Sequence, residues 1–303
     1  MGKPDASAAV PLPMRDGVAP SYLWLNDADG GVALAYLVAR FPDVGEATWL
    51  SRMARGEVVD AGGKRLEPGS ALLRGERVWY YREIDNEPRI PFDEIILFQD
   101  QHLLVVDKPH FVPTIPGGRF LHESLLVRLK NKLGEQQLAP IHRLDRETAG
   151  VVIFSRCEDS RGAYQSLFQK RSVAKEYEAL APALARQFPF VHRSCMVEGT
   201  PFFRMREAQG EPNSETLVDV IEVKDGVALY RLQPHTGRKH QLRVHMASIG
   251  APIINDAFYP DARPEQADDF ASPLKLLARA IAFDDPFTGE RRRFESARTL
   301  YSE

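Results

Sequence analysis

The stretch that most constrains this chain is His142-Arg143-Leu144-Asp145-Arg146-Glu147-Thr148-Ala149-Gly150, which runs straight into Val151-Val152-Ile153-Phe154. A short apolar run behind a glycine reads as a buried strand. Asp145 therefore falls on a turn that feeds a sheet, where rigid structure can hold a functional carboxylate. The guanidinium groups of Arg143 and Arg146 on either side favour its ionised form. That suits a nucleophile or a base better than an acid. The same charge spacing is also that of a turn carrying surface ion pairs, which are common and weak.

At 303 residues the chain is long enough for two domains or one large one. Its 44% apolar and 27% charged content is that of a globular protein with a sizeable core. A net charge of −3 gives no global basic character, so any anionic partner must meet a local basic face. Cys157 and Cys195 form neither a CxxC pair nor a zinc spacing, and reduced thiols in a cytoplasmic protein are expected. No apolar run approaches the roughly 18 residues of a membrane span. Residues 1–20 are rich in Ala and Pro, lack the apolar core of a signal peptide, and are expected to form a flexible tail.

Within 21–83 the pattern predicts two short helices, one from about Val32 to Phe41 and one over 48–55 that Gly56 stops. Val58-Val59 and Val78-Trp79-Tyr80-Tyr81 read as strands. Residues 84–94, with Asp85-Asn86-Glu87-Pro88 and Pro91, read as a linker. Two buried strands are expected at 95–98 and 103–106, and helices over 123–133 and 159–170. A strand over 173–180 puts Lys175 and Tyr177 on one face. Residues 182–215 are placed as substrate-specific loops. A strand at 228–232, a turn at Thr236-Gly237 and a helix over 239–249 follow, with His240 and Arg243 on one side of that helix. Arg238 and Lys239 at its start make a natural phosphate site. His235, His240 and His245 recur at a spacing of five, which fits neither a helix face nor a strand face, so no metal is expected.

Three motifs carry a resemblance. His-Arg-Leu-Asp-Arg-x-Thr-x-Gly begins at His142, and Lys-x-Tyr-x-Ala at Lys175. Thr-Gly-Arg-x-His-Gln-x-Arg-x-His begins at Thr236, with Gly250-x-Pro252 and Asp256-x-x-Tyr259 behind it. In this order the chain resembles the RluA-type pseudouridine synthases over most of 95–259. It departs from them at Ala149, where Ser or Gly is commoner, and at Asn255, where Gly is usual. Asn tolerates left-handed backbone, so that turn should survive. Residues 21–83 resemble, in degenerate form, a small RNA-binding module first described in a ribosomal protein. The match rests on Arg55-Gly56-Glu57-Val58-Val59 and Gly75-Glu76-Arg77-Val78.

The resemblance implies an α+β fold. The catalytic domain, 95–303, would hold a large mixed, mainly antiparallel sheet flanked by helices and loops, with the small α/β module before it. It implies isomerisation of uridine to pseudouridine in structured RNA, without cofactor or metal, by a cytoplasmic monomer. Ribosomal RNA is the favoured partner and transfer RNA the alternative. Asp145 is implied as nucleophile or base, Tyr177 as the group on the base, and Arg243 as the partner of Asp145. Arg143 would fill the gap left by the extracted uridine. His142, Arg146, Lys175, Arg238, Lys239 and His240 are the further RNA contacts. Two rival readings are a non-catalytic RNA-binding protein of ribosome assembly, and a hydrolase pairing Asp145 with Glu147 or Asp256.

Overall fold

A computed structural model of the protein describes residues 10–26, 31–84, 86–262 and 268–301. The chain divides into two compact units, Met1–Glu87 with Gly118–His122, and Pro88–Gly117 with Glu123–Glu303. No helix among the described residues is long and apolar enough to cross a membrane.

The first unit contains β1 (Ser21–Trp24), β2 (Gly31–Val32), α1 (Ala33–Arg40), α2 (Glu46–Ala54), β3 (Val58–Val59), β4 (Ala71–Leu72) and β5 (Arg77–Tyr80). Strands β1, β5 and β3 form one antiparallel sheet, in that order, and β2 pairs with β4. Ala33 and Leu37 on α1, and Trp49 and Met53 on α2, stand four apart and turn the apolar stripe of each helix into one core. The expected flexible tail is contradicted over residues 10–20. Leu12 packs with Val59, Trp79 and Tyr81. The Tyr81 hydroxyl donates to the Pro13 carbonyl at 2.7 Å, and Arg15 pairs with Glu57. Residues 1–9 lie outside the described residues.

The second unit opens at Pro88, inside the expected linker. Ile90 and Glu94 are buried there, and the Ile90 amide donates to Glu123 Oε2, so this stretch is packed rather than free. Strands β6 (Ile95–Gln99), β7 (Leu103–Lys108), β8 (Ala139–Pro140), β9 (Ala149–Ser155), β10 (Ala174–Pro182), β11 (Phe190–Glu198), β12 (Met205–Ala208), β13 (Ser214–Lys224), β14 (Val227–Pro234), β15 (Leu276–Asp284) and β16 (Arg291–Glu295) form one sheet. Helices α3 (Leu125–Leu133), α4 (Glu158–Gln169) and α5 (Gln241–Ser248) complete the unit. The fold is α+β. The main strand order is β12-β11-β13-β14-β10-β15-β9-β7-β6, with β16 on β15 and β8 on β9. Every ladder is antiparallel except the short contact between β15 and β9.

Three details differ from the sequence reading. Only β7 of the first hairpin is fully buried; β6 ends the sheet with one neighbour, and Ile95 is exposed. Residues 182–215 are not mainly loop, because they build β11 and β12. Helix α5 starts two residues late. The Gln241 side chain accepts from Thr236 Oγ1 at 2.7 Å and from the Arg238 amide at 3.0 Å, which ties the preceding loop down. The chain then enters the helix through a left-handed His240, φ 54°. Arg238 and Lys239 therefore lie on a loop before the helix rather than on its first turn.

The contact between β9 and β15 needs a glycine. Gly150 has φ +114°, and a Cβ there would lie 2.2 Å from the Ala278 carbonyl oxygen. On the other edge of β15, the ladder with β10 slips between Glu176 and Glu178, at Tyr177. Irregularities of this kind re-aim side chains beside functional sites.

Candidate active site

The turn after Ile141 carries Asp145 and is fixed from below. Thr114 Oγ1 donates to the Leu144 carbonyl at 2.9 Å and accepts from the Leu144 amide at 3.1 Å. Lys108 is fully buried, and its ammonium donates to the carbonyls of Pro109, Val112 and Arg146 at 3.0, 2.7 and 3.1 Å. Its three donors meet three acceptors, so the polar cost of burying it is offset. Burial nonetheless pushes its pKa down to about 7, against the pull of Glu147 and Asp145.

Above this base lies an open cavity of about 630 Å³, with Asp145 and Tyr177 in its wall. Arg143, Arg146, Arg171, Lys175, Arg238 and Lys239 also line it, and Asp145 is the single carboxylate among the lining residues. A cavity with that balance attracts an anionic chain and presents one carboxylate to it.

Arg243 is buried behind Asp145. The sequence reading paired these two, but Arg243 makes its bidentate contact with Asp256, Nε to Oδ2 at 2.8 Å and Nη2 to Oδ1 at 2.7 Å. Its Nη1 stands 3.4 Å from Glu147 Oε2 and 3.6 Å from Asp145 Oδ2. Asp256 is itself held by the amides of Phe258 and Tyr259. Burial opposes the charge on Arg243, and the hydrogen bonds and charge of Asp256, with Glu147 and Asp145 behind, outweigh it and raise its pKa. Burial would also raise Glu147, but Arg243 and Arg146 reverse that and keep it ionised. Glu147 and Asp256 are thus both paired with Arg243, and Asp256 is buried.

His240 faces Asp145 from the other side. Its Nδ1 lies 2.9 Å from the Tyr259 hydroxyl and its Nε2 3.9 Å from Asp145 Oδ2. The Tyr259 oxygen already accepts from the Met205 amide at 2.8 Å. The tautomer that suits both neighbours has the hydroxyl donating to Nδ1 and Nε2–H turned toward the carboxylate. Burial lowers the His240 pKa more than Asp145 raises it. Tyr177 is raised above the usual phenol value, first by burial and then by the Asp145 carboxylate, so it is a neutral phenol that can donate or accept.

The expected RNA contacts do not all come together. Arg143, Arg238 and Lys239 are exposed around the cavity, and Lys175 reaches the Thr236 carbonyl at 3.3 Å. Arg146 lines the cavity, but its guanidinium is held by both oxygens of Asp268 and by Glu147. His142 also lines the cavity, but its ring is held from inside. Its Nε2 accepts from the Ile153 amide at 3.2 Å, its ring stacks on Phe168, and burial drops its pKa to about 3. Arg171, at the end of α4 with φ 57°, was missed and stands in the same wall. The three histidines are dispersed. His245 is buried beside His192 and Glu207, with one ligand atom from each within 4.8 Å of the others. Both of its ring nitrogens already meet hydroxyls, Nε2 those of Ser194 and Ser214 and Nδ1 that of Thr216.

A family model described as RNA pseudouridylate synthase matches residues 102–248, which span the Asp145 turn, Tyr177 and Arg243. The dual-specificity RNA pseudouridine synthase RluA of Salmonella typhi is 33% identical over 215 residues, 69% of this chain and 95% of the relative. This chain belongs to the RluA-type RNA pseudouridine synthases. The RluA of Escherichia coli K12 is 32% identical over 216 residues, 70% of this chain and 95% of the relative. Among solved structures, human RNA pseudouridylate synthase domain containing 4 is 27% identical, with a TM-score of 0.54 over 66% of this chain and 87% of that one. A pseudouridine synthase isomerises uridine in RNA: the bond from the sugar to N1 breaks, a bond to C5 forms, and the C5 proton leaves to water while N1 gains one.

Proposed function

We propose that Asp145 is the nucleophile or base of this isomerisation, with Tyr177 against the uracil and Arg243 as the cation that keeps the carboxylate oriented. The single observation carrying this reading is that Asp145 and Tyr177 share the wall of one cation-lined cavity, with Arg243 Nη1 3.6 Å behind the carboxylate. Asp145 is positioned either to attack the anomeric carbon or to take the proton at the 2′ carbon. Tyr177, as a neutral phenol, stacks on the base and passes the C5 proton. Arg143 fills the space of the flipped uridine, and Lys175, Arg238, Lys239 and His240 hold the backbone and loop around it. No cofactor or metal takes part, and the enzyme works as a monomer in the cytoplasm. Folded RNA with unstacked bases is the substrate class. Ribosomal RNA is favoured over transfer RNA because the first unit resembles a ribosomal-protein module, which would anchor the RNA.

The test is tritium release to water from cellular RNA labelled at C5 of uracil and taken from cells lacking this protein. Wild type should release tritium, and Asp145→Asn should release none while keeping RNA affinity within a few-fold. Normal release by the variant would remove Asp145 from the chemistry. Size fractionation of the RNA would separate ribosomal from transfer substrates.

A further inference from the structure

The hairpin between β11 and β12 ends in Pro201-Phe202-Phe203-Arg204. Its closure is a backbone matter, with the Gly199 amide donating to the Arg204 carbonyl at 3.0 Å and the Arg204 amide to the Pro201 carbonyl at 2.9 Å. Phe202 contributes little to that closure and is 86% exposed, the most exposed large hydrophobic side chain among the described residues. It is not isolated. Its ring meets Phe203 edge-on at 5.8 Å, Phe203 meets Phe258 at 5.1 Å, and Phe258 stacks on His240 at 5.8 Å. His240 Nε2 then stands 3.9 Å from Asp145. A continuous row of rings therefore leads from the reactive carboxylate to a bare aromatic face in solvent.

The mounting is rigid at both ends. The Met205 amide, at the foot of the tip, donates to the same Tyr259 hydroxyl that meets His240. Arg204 lies over the Tyr259 ring and donates to the Pro260 carbonyl. One hydroxyl thus ties the hairpin to the site. The surroundings suit an anionic chain: Arg206 on the same hairpin is exposed, as are Arg238 and Lys239 on the cavity at the other end of the row of rings. An exposed aromatic face beside cations is the usual platform for an unpaired base.

We propose that Phe202 stacks on an unpaired nucleobase of the substrate RNA outside the cavity, at the far end of this row of rings, and so helps to hold the RNA whose uridine enters the cavity. This rests on RNA being the substrate. Stacking outside the reacting nucleotide stabilises ground and transition states alike, so it acts on KM rather than kcat.

The test uses the full-length enzyme and tritium release from C5-labelled RNA. Phe202→Ala should raise KM by about 5- to 150-fold with kcat unchanged, the range expected for one lost base stack. Its melting temperature should match wild type, since the ring is exposed. Phe202→Trp should restore KM, and Phe202→Leu, apolar but without a π face, should not. The added tryptophan should also lose emission as RNA saturates, beyond any change in wild type. An unchanged KM in Phe202→Ala, full rescue by Leu, or a tryptophan blind to RNA would each overturn the inference while the isomerase stands. Absence of tritium release from wild type would overturn both.

Discussion

Arg243 gives its bidentate face to Asp256, at 2.8 and 2.7 Å, and only its remaining edge, shared with Glu147, to Asp145 at 3.6 Å. The contact that holds the arginine is therefore not the contact it serves. Fixing the guanidinium elsewhere leaves Asp145 close to a permanent positive charge yet free of a short hydrogen bond, so its oxygens remain available to substrate.

Asp256→Asn should expose this division of labour. Removing one partner of a buried ion pair strands the other charge, at a cost of roughly 3–5 kcal/mol. The melting temperature should fall by several degrees. Turnover should drop by about 100-fold, the order expected when a positioned group shifts by an ångström. Calorimetry and tritium release would check both; an unchanged kcat would mean Arg243 needs no anchor.

Tyr177→Phe keeps the ring and removes the hydroxyl. The rate should fall by about 100-fold or more if the phenol handles a proton, while KM stays near wild type. A rate within two-fold of wild type would reduce Tyr177 to a stacking surface.

Arg171 was invisible in the sequence and stands in the cavity wall among the other cations. Arg171→Ala should weaken RNA binding and lower the slope of log affinity against log salt by about one, the signature of a single lost phosphate contact. Filter binding across a salt series reads this directly. An unchanged slope would place Arg171 outside the interface.

Acid should destabilise the fold through its buried histidines. His245 is held down to about 4, first by burial and then by His192, and burial takes His142 to about 3. In the unfolded chain both titrate near 6.5. Between about pH 6.5 and 4 the unfolded state therefore binds more protons, and stability is lost as pH falls through that window. Each neutral histidine contributes a slope of at most about 1.4 kcal/mol per pH unit. Melting temperatures of wild type and His245→Asn between pH 7 and 4 should converge as the pH falls. Parallel curves would show that His245 titrates alike in both states.

The motif residues were legible because each motif is local: the Asp145 turn, the Tyr177 strand and the Arg243 helix each announce themselves within a few residues. The partnerships were not. Whether Arg243 pairs with Asp145 or Asp256 depends on how the turn after α5 folds back, and no spacing encodes that. Arg146 is held by Asp268, 122 positions away. His142 could be read as a contact because nothing in the sequence says that its ring will accept from Ile153. Residues 10–20 looked free for the same reason, since Leu12 is buried only by Val59, Trp79 and Tyr81. Asn255, by contrast, adopts the left-handed backbone expected of it, with φ 64°.

Leu277 on β15 stands opposite Ala149 on one side and Glu178 on the other. The Asp145 turn and Tyr177 thus hang from neighbouring rungs of one backbone lattice, whose strand spacing of about 4.8 Å is set by hydrogen bonds and not by side-chain size. Mutational drift in the apolar interior can then erode stability without altering the gauge between the Asp145 turn and Tyr177. The tolerance ends at Gly150, where any side chain would meet the Ala278 carbonyl and push the two strands apart. The spacing of the two elements is thus a property of the backbone, and one glycine guards it.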